Sequence, residues 1–553
     1  MGRNCQIGKR DLKRQKGITM ENKGMFSYII VGAGAAGCVV ANRLSEDPSN
    51  KVLLLEAGGK DWNPLIHVPI GFTKLTTPDV NWGFSTVPQP QMNDRDMWYP
   101  QGRTLGGSTS INAMIYIRGH REDYETWERR GNEGWGYEDV LKYFRKSENN
   151  ERLNNKYHGI GGDMNVTQQT QANPLTMAFV RAAQEVGLPF NADVNGAEQD
   201  GVTFYDVTQR NVRRESSATA FLNPAKSRKN LTVLTRAMGT RILVENSRAI
   251  GLEFIEGKKK CVAYVEKEVI LSGGAVNSPK LLMLSGIGPA DELLQAGADV
   301  VHDLPGVGKN FQDHMDVYIT AETTPVSYNM EDRPDRALRH TIQYLLYKTG
   351  PITACVAEAG AFIRSSENVV SPDIQIHCLP AYVIDHGRKR VKGHGITINT
   401  CNLRPKSIGS VKLRNADPTS HPLIDPNFCG DSDGYDWKIS MAGFKWGRKI
   451  LAAEAFAPFI KSEYMPGIDV QDEQQVRKYI KEWSKTDYHP VGSCKMGHDD
   501  MAVVDTELKV HGIAGLRVID ASIMPTLISG NTQAPSIMIG EKGSAIVLAG
   551  KVV

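Results

Sequence analysis

Residues 28–56 read YIIVGAGAAGCVVANRLSEDPSNKVLLLE, and this stretch decides the fold. Tyr28–Val31 is an apolar run with the composition of a buried strand. Gly32-Ala33-Gly34-Ala35-Ala36-Gly37 follows without a spacer, and Ala35–Leu44 has helical composition. Pro48-Ser49-Asn50 marks a turn, and Val52–Leu55 reads as a second strand ending at Glu56. Strand, glycine loop, helix and strand in this order make a βαβ unit that binds a dinucleotide. Gly32 and Gly34 let the backbone turn tightly and approach a pyrophosphate, while Gly37 lets helix and strand pack closely. The helix N-terminus offers free N–H groups to the anion, and Glu56 stands where a carboxylate accepts from a ribose hydroxyl. A glycine pattern alone would be an ordinary turn. The two strands, the helix and the acid separate the two readings.

A chain of 553 residues is too long for one simple core, so two or more domains are expected. With 23% charged and 41% hydrophobic residues it has the composition of a soluble globular enzyme. A net charge of +3 offers no reason for a nucleic acid or an anionic membrane as partner. No apolar run reaches the roughly 18 residues that a membrane span needs, and no stretch stands out as an amphipathic helix for membrane contact. Eight cysteines are scattered without a CxxC pair, which fits reduced thiols and argues against structural zinc. No His/Cys/carboxylate spacing suggests a metal. Residues 1–25 are polar and basic (Lys9, Arg10, Lys13, Arg14, Lys16) and lack an apolar signal core, so they read as a disordered extension.

Beyond the opening unit, Gly58–Gly107 is a loop-rich region of functional length. Segment 231–254 alternates like antiparallel strands, and Val269–Gly274 reads as a buried strand. A helix is expected over Ser278–Leu284, with Ser278 as cap and Pro279 in the first turn. In the middle of the chain, Val202–Gln209, Asp373–Leu379, Ile396–Leu403 and Val411–Leu413 have strand character. Helical stretches at Ala337–Tyr347 and Trp437–Ala452 lie among them. This predicts an α+β unit on an antiparallel sheet. Residues 515–553 return to strand–loop–helix, so the nucleotide-binding part is discontinuous and closed by the C-terminus.

Two further glycine-rich segments carry chemistry: Pro100-Gln-Gly-Arg-Thr-Leu-Gly-Gly-Ser-Thr-Ser-Ile-Asn112 and Gly274-Ala-Val-Asn-Ser-Pro-Lys-Leu-Leu-Met-Leu-Ser-Gly-Ile-Gly288. They resemble the two signatures of the glucose–methanol–choline (GMC) family of FAD-dependent oxidoreductases. The resemblance continues in Leu304-Pro-Gly-Val-Gly-Lys-Asn-Phe-Gln-Asp-His314, Tyr488-His-Pro-Val-Gly-Ser-Cys-Lys-Met-Gly497, Gly515-Leu-Arg-Val-Ile-Asp-Ala-Ser522 and Ser529-Gly-Asn-Thr-Gln-Ala-Pro-Ser-Ile-Met-Ile-Gly540. It runs from Phe26 to about Leu548 in the family's order. Within the family the chain looks like choline-dehydrogenase-like and sorbose-dehydrogenase-like alcohol dehydrogenases.

The resemblance implies an α/β plus α+β fold, with a discontinuous Rossmann-type FAD-binding domain (26–150, 216–315 and 484–553). A substrate domain (151–215 and 316–483) would be built on the antiparallel sheet. It implies FAD as the dinucleotide, with Gly32, Gly34 and Gly37 at the pyrophosphate and Glu56 at the adenosine ribose. Gly239 falls at the adenine, where the family usually has a β-branched residue. Asp520 and Ala521 fall at the ribityl–pyrophosphate region. Arg103, Gly107, Thr109 and Asn112 belong to the loop expected beside the isoalloxazine ring. Some members attach FAD through a histidine next to this Asn; Ile111 stands there, so FAD is expected to bind non-covalently. His489 and Asn531 are the expected catalytic pair: an imidazole suits removal of a hydroxyl proton near neutrality, and an amide suits holding the developing alkoxide. Without the resemblance, His489 before a proline reads as a core histidine and Asn531 as a turn or helix cap. His314 is expected to serve structure.

The expected reaction is oxidation of a primary or secondary alcohol by hydride transfer to flavin N5. The electrons would pass to a quinone or dye-like acceptor, from a cytoplasmic enzyme or one peripheral to the inner membrane. Asp487, if directed at the flavin, disfavours an apolar O₂ site. An oxygen-using oxidase and an FAD-containing hydroxynitrile lyase are the alternatives.

Overall fold

The computed structural model describes residues 20–169, 171–331 and 333–550. The basic extension over residues 1–19 lies outside the described residues.

The first layer is built from β1 (Glu21–Val31), α1 (Ala35–Ser45), β2 (Val52–Glu56), β3 (Leu231–Thr235), β4 (Ala237–Glu245), β5 (Arg248–Glu256) and β6 (Lys259–Leu271). The strands form one sheet in the order β3–β2–β1–β6–β5–β4, with Leu516–Val518 paired on β6. β3, β2, β1, β6 and Leu516–Val518 run parallel; β4, β5 and β6 are antiparallel neighbours. β2 and the ends of β1 and β6 beside it, Tyr28–Ile30 and Val269–Leu271, are buried apolar runs because both faces of the sheet are covered there.

β1 begins at Glu21, not near Phe26: residues 21–25 pair with Cys261–Tyr264, and Lys23 bridges Glu21 and Glu256. This corrects the expectation of an extension to residue 25. The reason is that β6 begins as early as Lys259, so Cys261–Tyr264 offer an edge beyond the apolar run.

The next helix, α2, spans Gly274–Leu284, four residues earlier than expected. Pro279 therefore lies inside it, where it cannot bond the Ala275 carbonyl four residues back. That carbonyl accepts from Ser493 Oγ at 2.6 Å instead. Ser278, freed from capping, donates to Asp520 Oδ2 at 2.5 Å.

The second layer holds β7 (Met315–Thr323), α3 (Pro334–Tyr347), β8 (Ala359–Ile363), β9 (Ile374–Leu379), β10 (Gly395–Asn402), α4 (Tyr435–Leu451) and β11 (Ile460–Met465). Its antiparallel sheet runs β11–β7–β10–β9–β8 and ends on Gly201–Phe204; Lys485–Thr486 adds to β7. In β9 the period of two sorts the faces: Ile374, Ile376 and Cys378 join the core shared with α4, while Gln375 and His377 face the other way.

The last helix, α5 (Gln533–Ala549), packs along α1, where the Arg43 guanidinium grips the fully buried Glu541 carboxylate. Both ends of the chain thus build the first layer. Met164 and Val166 also pack into the first core, and Lys485–Thr486 into the second sheet, so the chain changes layer near but not at 150 and 484.

Candidate active site

At the C-terminal ends of the parallel strands lies a cleft with about 1250 Å³ of unfilled space. Val31, Leu55, Glu56, Leu271 and Ala521 line it, as do Gly32, Gly34, Gly107, Gly239 and Asp520. The N-termini of α1, α2 and α5 all open onto it, through Gly34, Gly273–Gly274 and Thr532. None of the three carries a side-chain cap. Their partial positive charges therefore converge on the same space, which suits a phosphorylated anion, although the Gly274 N–H of α2 is already held by Asp520.

Each expected cofactor residue has a definite place. Glu56 is buried and accepts from Ala33 N at 3.0 Å and Gly58 N at 2.7 Å. Burial pushes its carboxyl up to about 7 against those two bonds and the pull of Arg103. Asp520 accepts at Oδ2 from Gly274 N at 2.8 Å and at Oδ1 from Ser522 N at 2.8 Å, so it ties α2 to the C-terminal loop. Gly107 approaches Gly34 so closely that a Cβ on it would lie 2.7 Å from the Gly34 Cα. Gly37 does not face the cleft: a Cβ there would stand 1.9 Å from the Gly32 carbonyl oxygen. Its task is helix–strand packing, which corrects its assignment to the pyrophosphate. Neither Arg103 nor Thr109 lines the cleft itself. The Arg103 guanidinium lies 4.8 Å above the Trp82 ring, and Thr109 Oγ1 bonds Gly106 O and Ser217 N.

Asn112 does not line the cleft; its Nδ2 donates to Gln533 Oε1 on the first turn of α5. Its Oδ1 accepts from Arg214 Nη1 at 2.8 Å and Met114 N at 3.1 Å. Arg214 is buried and also donates to Ile66 O and Thr109 O, so it sets the whole loop from below. Nothing in the sequence pattern singles it out.

His489 and Asn531 are brought together, with 3.0 Å between His489 Nε2 and Asn531 Nδ2. The residues flanking His489, Tyr488 and Pro490, line the cleft, as does Thr532 after Asn531. Tyr488 holds φ +70°, an uncommon conformation for a bulky residue that turns the next side chain inward. Asp313 secures the bend: it accepts from His489 N at 2.8 Å, Thr486 Oγ1 at 2.5 Å and Tyr99 OH at 2.5 Å.

The hydrogen bonds fix the imidazole tautomers. His314 Nε2 lies 3.1 Å from Leu403 O, which can only accept, so Nε2 carries the proton. His314 Nδ1, 3.0 Å from His489 Nδ1, is then a lone pair. His489 must donate from Nδ1, and its Nε2 is left as a free base toward Asn531. Burial lowers the His489 imidazole to about 4 and that of His314 to about 3. Both are neutral near pH 7, as a proton acceptor must be. Gln375, on the polar face of β9, donates to Asn531 Oδ1 at 3.3 Å and so aims the Asn531 amide N–H at His489.

Asp487 is buried with Oδ2 at 3.6 Å from His489 Nδ1 and 3.5 Å from His377 Nε2. Burial opposes its charge, but the two imidazoles and Lys485 outweigh that and hold its carboxyl well below the usual range. It stands behind the imidazole, on the Nδ1 side. Its charge bears on His489 and not on the space before Nε2, so it carries no argument about O₂. His314 and Gln375 are the neighbours that spacing did not connect with His489, because β7 and β9 meet it only through the tertiary fold.

Known proteins resemble this chain along most of its length. The GMC oxidoreductase family models match residues 26–316 and 405–540. The alcohol dehydrogenase (acceptor) of Pseudomonas putida is 47% identical over 531 residues, covering 95% of this chain and 96% of that protein. The mitochondrial choline dehydrogenase of Mus musculus is 43% identical over 546 residues, 96% of this chain and 91% of that one. Among solved structures, a formate oxidase of Aspergillus oryzae superimposes with a TM-score of 0.90 at 26% identity, covering 96% and 99% of the two chains.

Proposed function

Because this chain belongs to the GMC oxidoreductase family and oxidises a CH–OH donor with FAD, we propose that His489 is the base and Asn531 its partner in that oxidation. The observation that supports this is the 3.0 Å contact between a lone-pair Nε2 and an amide N–H at the edge of the dinucleotide cleft. When bound, FAD supplies the hydride acceptor. Its pyrophosphate would lie against the uncapped N-termini of α1 and α2. Its ring would lie near Asn112 and α5, whose N-terminal charge favours an anionic ring edge.

The substrate hydroxyl enters between Nε2 and the Asn531 amide. Its proton passes to His489 Nε2, and the amide N–H turns onto the oxygen left negative. The imidazolium so formed keeps its Nδ1–H on His314, and the Asp487 carboxylate supplies the opposite charge beside it. His314, Asp313 and Asp487 thus position or balance His489 without touching substrate. FAD is held non-covalently, because Ile111, next to Asn112, offers no atom for a bond. The acceptor is a quinone or dye-like oxidant, as the dehydrogenase names of the 47% and 43% identical relatives suggest.

His489→Ala tests the base. It should retain flavin absorbance and lose roughly 10²- to 10⁴-fold in the anaerobic reduction of flavin by an alcohol. Unchanged reduction would refute the assignment. Rapid H₂O₂ formation during aerobic reoxidation would refute the acceptor.

A further inference from the structure

The short strand Trp98–Tyr99 lies in the loop-rich stretch that ends at Gly107. Its two residues reach the bend at Tyr488–His489 by separate routes. Tyr99 OH donates to Asp313, the carboxylate that accepts from His489 N. Trp98 instead meets the ring of His386 edge-on, with centroids 5.1 Å apart. His386 belongs to the connection between β9 and β10. Its Nδ1 lies 2.6 Å from Tyr488 OH, and its ring leans on the Tyr488 ring at 5.5 Å between centroids. Lys485 lies against the same phenol, with Nζ 5.3 Å from the ring centroid, and an ammonium can only donate. The phenol proton therefore goes to His386 Nδ1. Burial and the cations Lys485, Arg388 and Arg95 push the His386 imidazole well below its usual value, which keeps that nitrogen an acceptor near neutrality.

Tyr488, Asp385 and His386 hold φ +70°, +49° and +59°, and none of them is a glycine. Such conformations persist only where the surroundings fix them. At Tyr488 the fixing contacts are its own N–H on Thr486 Oγ1 at 2.8 Å, the next N–H on Asp313 at 2.8 Å, and the phenol on His386. The first two hold the backbone, and only the third holds the side chain. We propose that His386, backed by Trp98, is a positioning residue for His489: by accepting the Tyr488 phenol it fixes the bend that aims Nε2 at the substrate hydroxyl. The inference rests on the reading of His489 as the base. His386 does not line the cleft, so its effect passes through Tyr488, which does. Without the acceptor the phenol is released, the bend relaxes, and the imidazole that follows it moves off the line of proton transfer.

The test is anaerobic flavin reduction in the FAD-loaded full chain, with whichever of ethanol, 1-butanol and choline reduces the wild type fastest. It is read as the limiting rate and the half-saturating alcohol concentration. Gly and Asn both accept the left-handed backbone at 386, so His386→Gly and His386→Asn differ in the acceptor and not in strain. His386→Gly should slow the limiting rate roughly ten- to hundredfold, with flavin content and half-saturating concentration unchanged. His386→Asn, whose Oδ1 can stand where Nδ1 stood, should stay within about threefold of the wild type. Tyr488→Phe should lose as much as His386→Gly, and the two together no more than either alone. A wild-type rate in His386→Gly, an equal loss in His386→Asn, or additive losses in the pair would overturn the proposal. His489→Ala measured alongside separates the two readings. If it also reduces flavin at the wild-type rate, the assignment of the base fails; if it is slow while His386→Gly is fast, only the role of His386 fails.

Discussion

The His489 imidazole suits the role of base proposed for it because its two nitrogens are made unequal by their neighbours. His314 takes the Nδ1–H and leaves Nε2 as the base, and burial keeps both rings neutral. The pH dependence follows with a definite sign. The active form is neutral, and its fraction falls only as pH drops through about 4, so kcat/KM should be flat above about pH 5 and fall below it. An ordinary histidine would start the fall near 6.5. Asp487 raises the affinity of His489 for a proton. Asp487→Asn should therefore shift the acid limb to lower pH and cut kcat by about tenfold, since the imidazolium loses its counter-charge. A merely structural role would lower stability and leave the limb in place. The imidazole itself was legible as a motif residue. Its tautomer was not, because Leu403, His314 and Gln375 come from strands and loops remote in the chain.

At the level of elements, α2 shows how a helix tolerates an internal proline. The carbonyl that Pro279 cannot satisfy is taken by Ser493 from the C-terminal segment. Ser493→Ala should strand that buried carbonyl, cost about 1–3 kcal/mol and lower the melting temperature measured by circular dichroism. Pro279→Ala in the same background should recover much of the loss by restoring the helical N–H. The proline looked like a first-turn residue because Ser278 before it has cap chemistry. The helix starts earlier because Asp520 receives Gly274 N and Ser278 Oγ at one carboxylate oxygen. β1–α1–β2, in contrast, was readable apart from the first residues of β1, since an unbroken buried run and a glycine turn are local properties. α3 was recognised as a helix but not as an outward-facing one, because its pattern gives an apolar stripe and not the side that meets solvent.

Over the whole molecule, the second sheet reaches the His489–Asn531 pair through Gln375, beside the cleft of the first layer, and the cofactor is expected to join the two. A ligand that binds only the folded state adds stability by mass action, about 2.7 kcal/mol at a hundredfold excess over Kd. FAD-depleted protein should therefore melt lower than the holoenzyme and recover on adding FAD. Acid precipitation should release the flavin into the supernatant; retention in the pellet would contradict non-covalent binding. From the residues alone followed the dinucleotide unit, the family resemblance and the discontinuous first layer, and the resemblance pointed to His489 and Asn531 as the expected pair, because each is written in short contiguous motifs. Only the tertiary structure decided what those residues meet: Gly37 against Gly32, Asp487 behind the imidazole, Arg214 beneath Asn112, and the apolar stripe of α3 in solvent. Such contacts join segments tens to hundreds of residues apart. They are set by how two sheets pack against each other, and no local pattern records that.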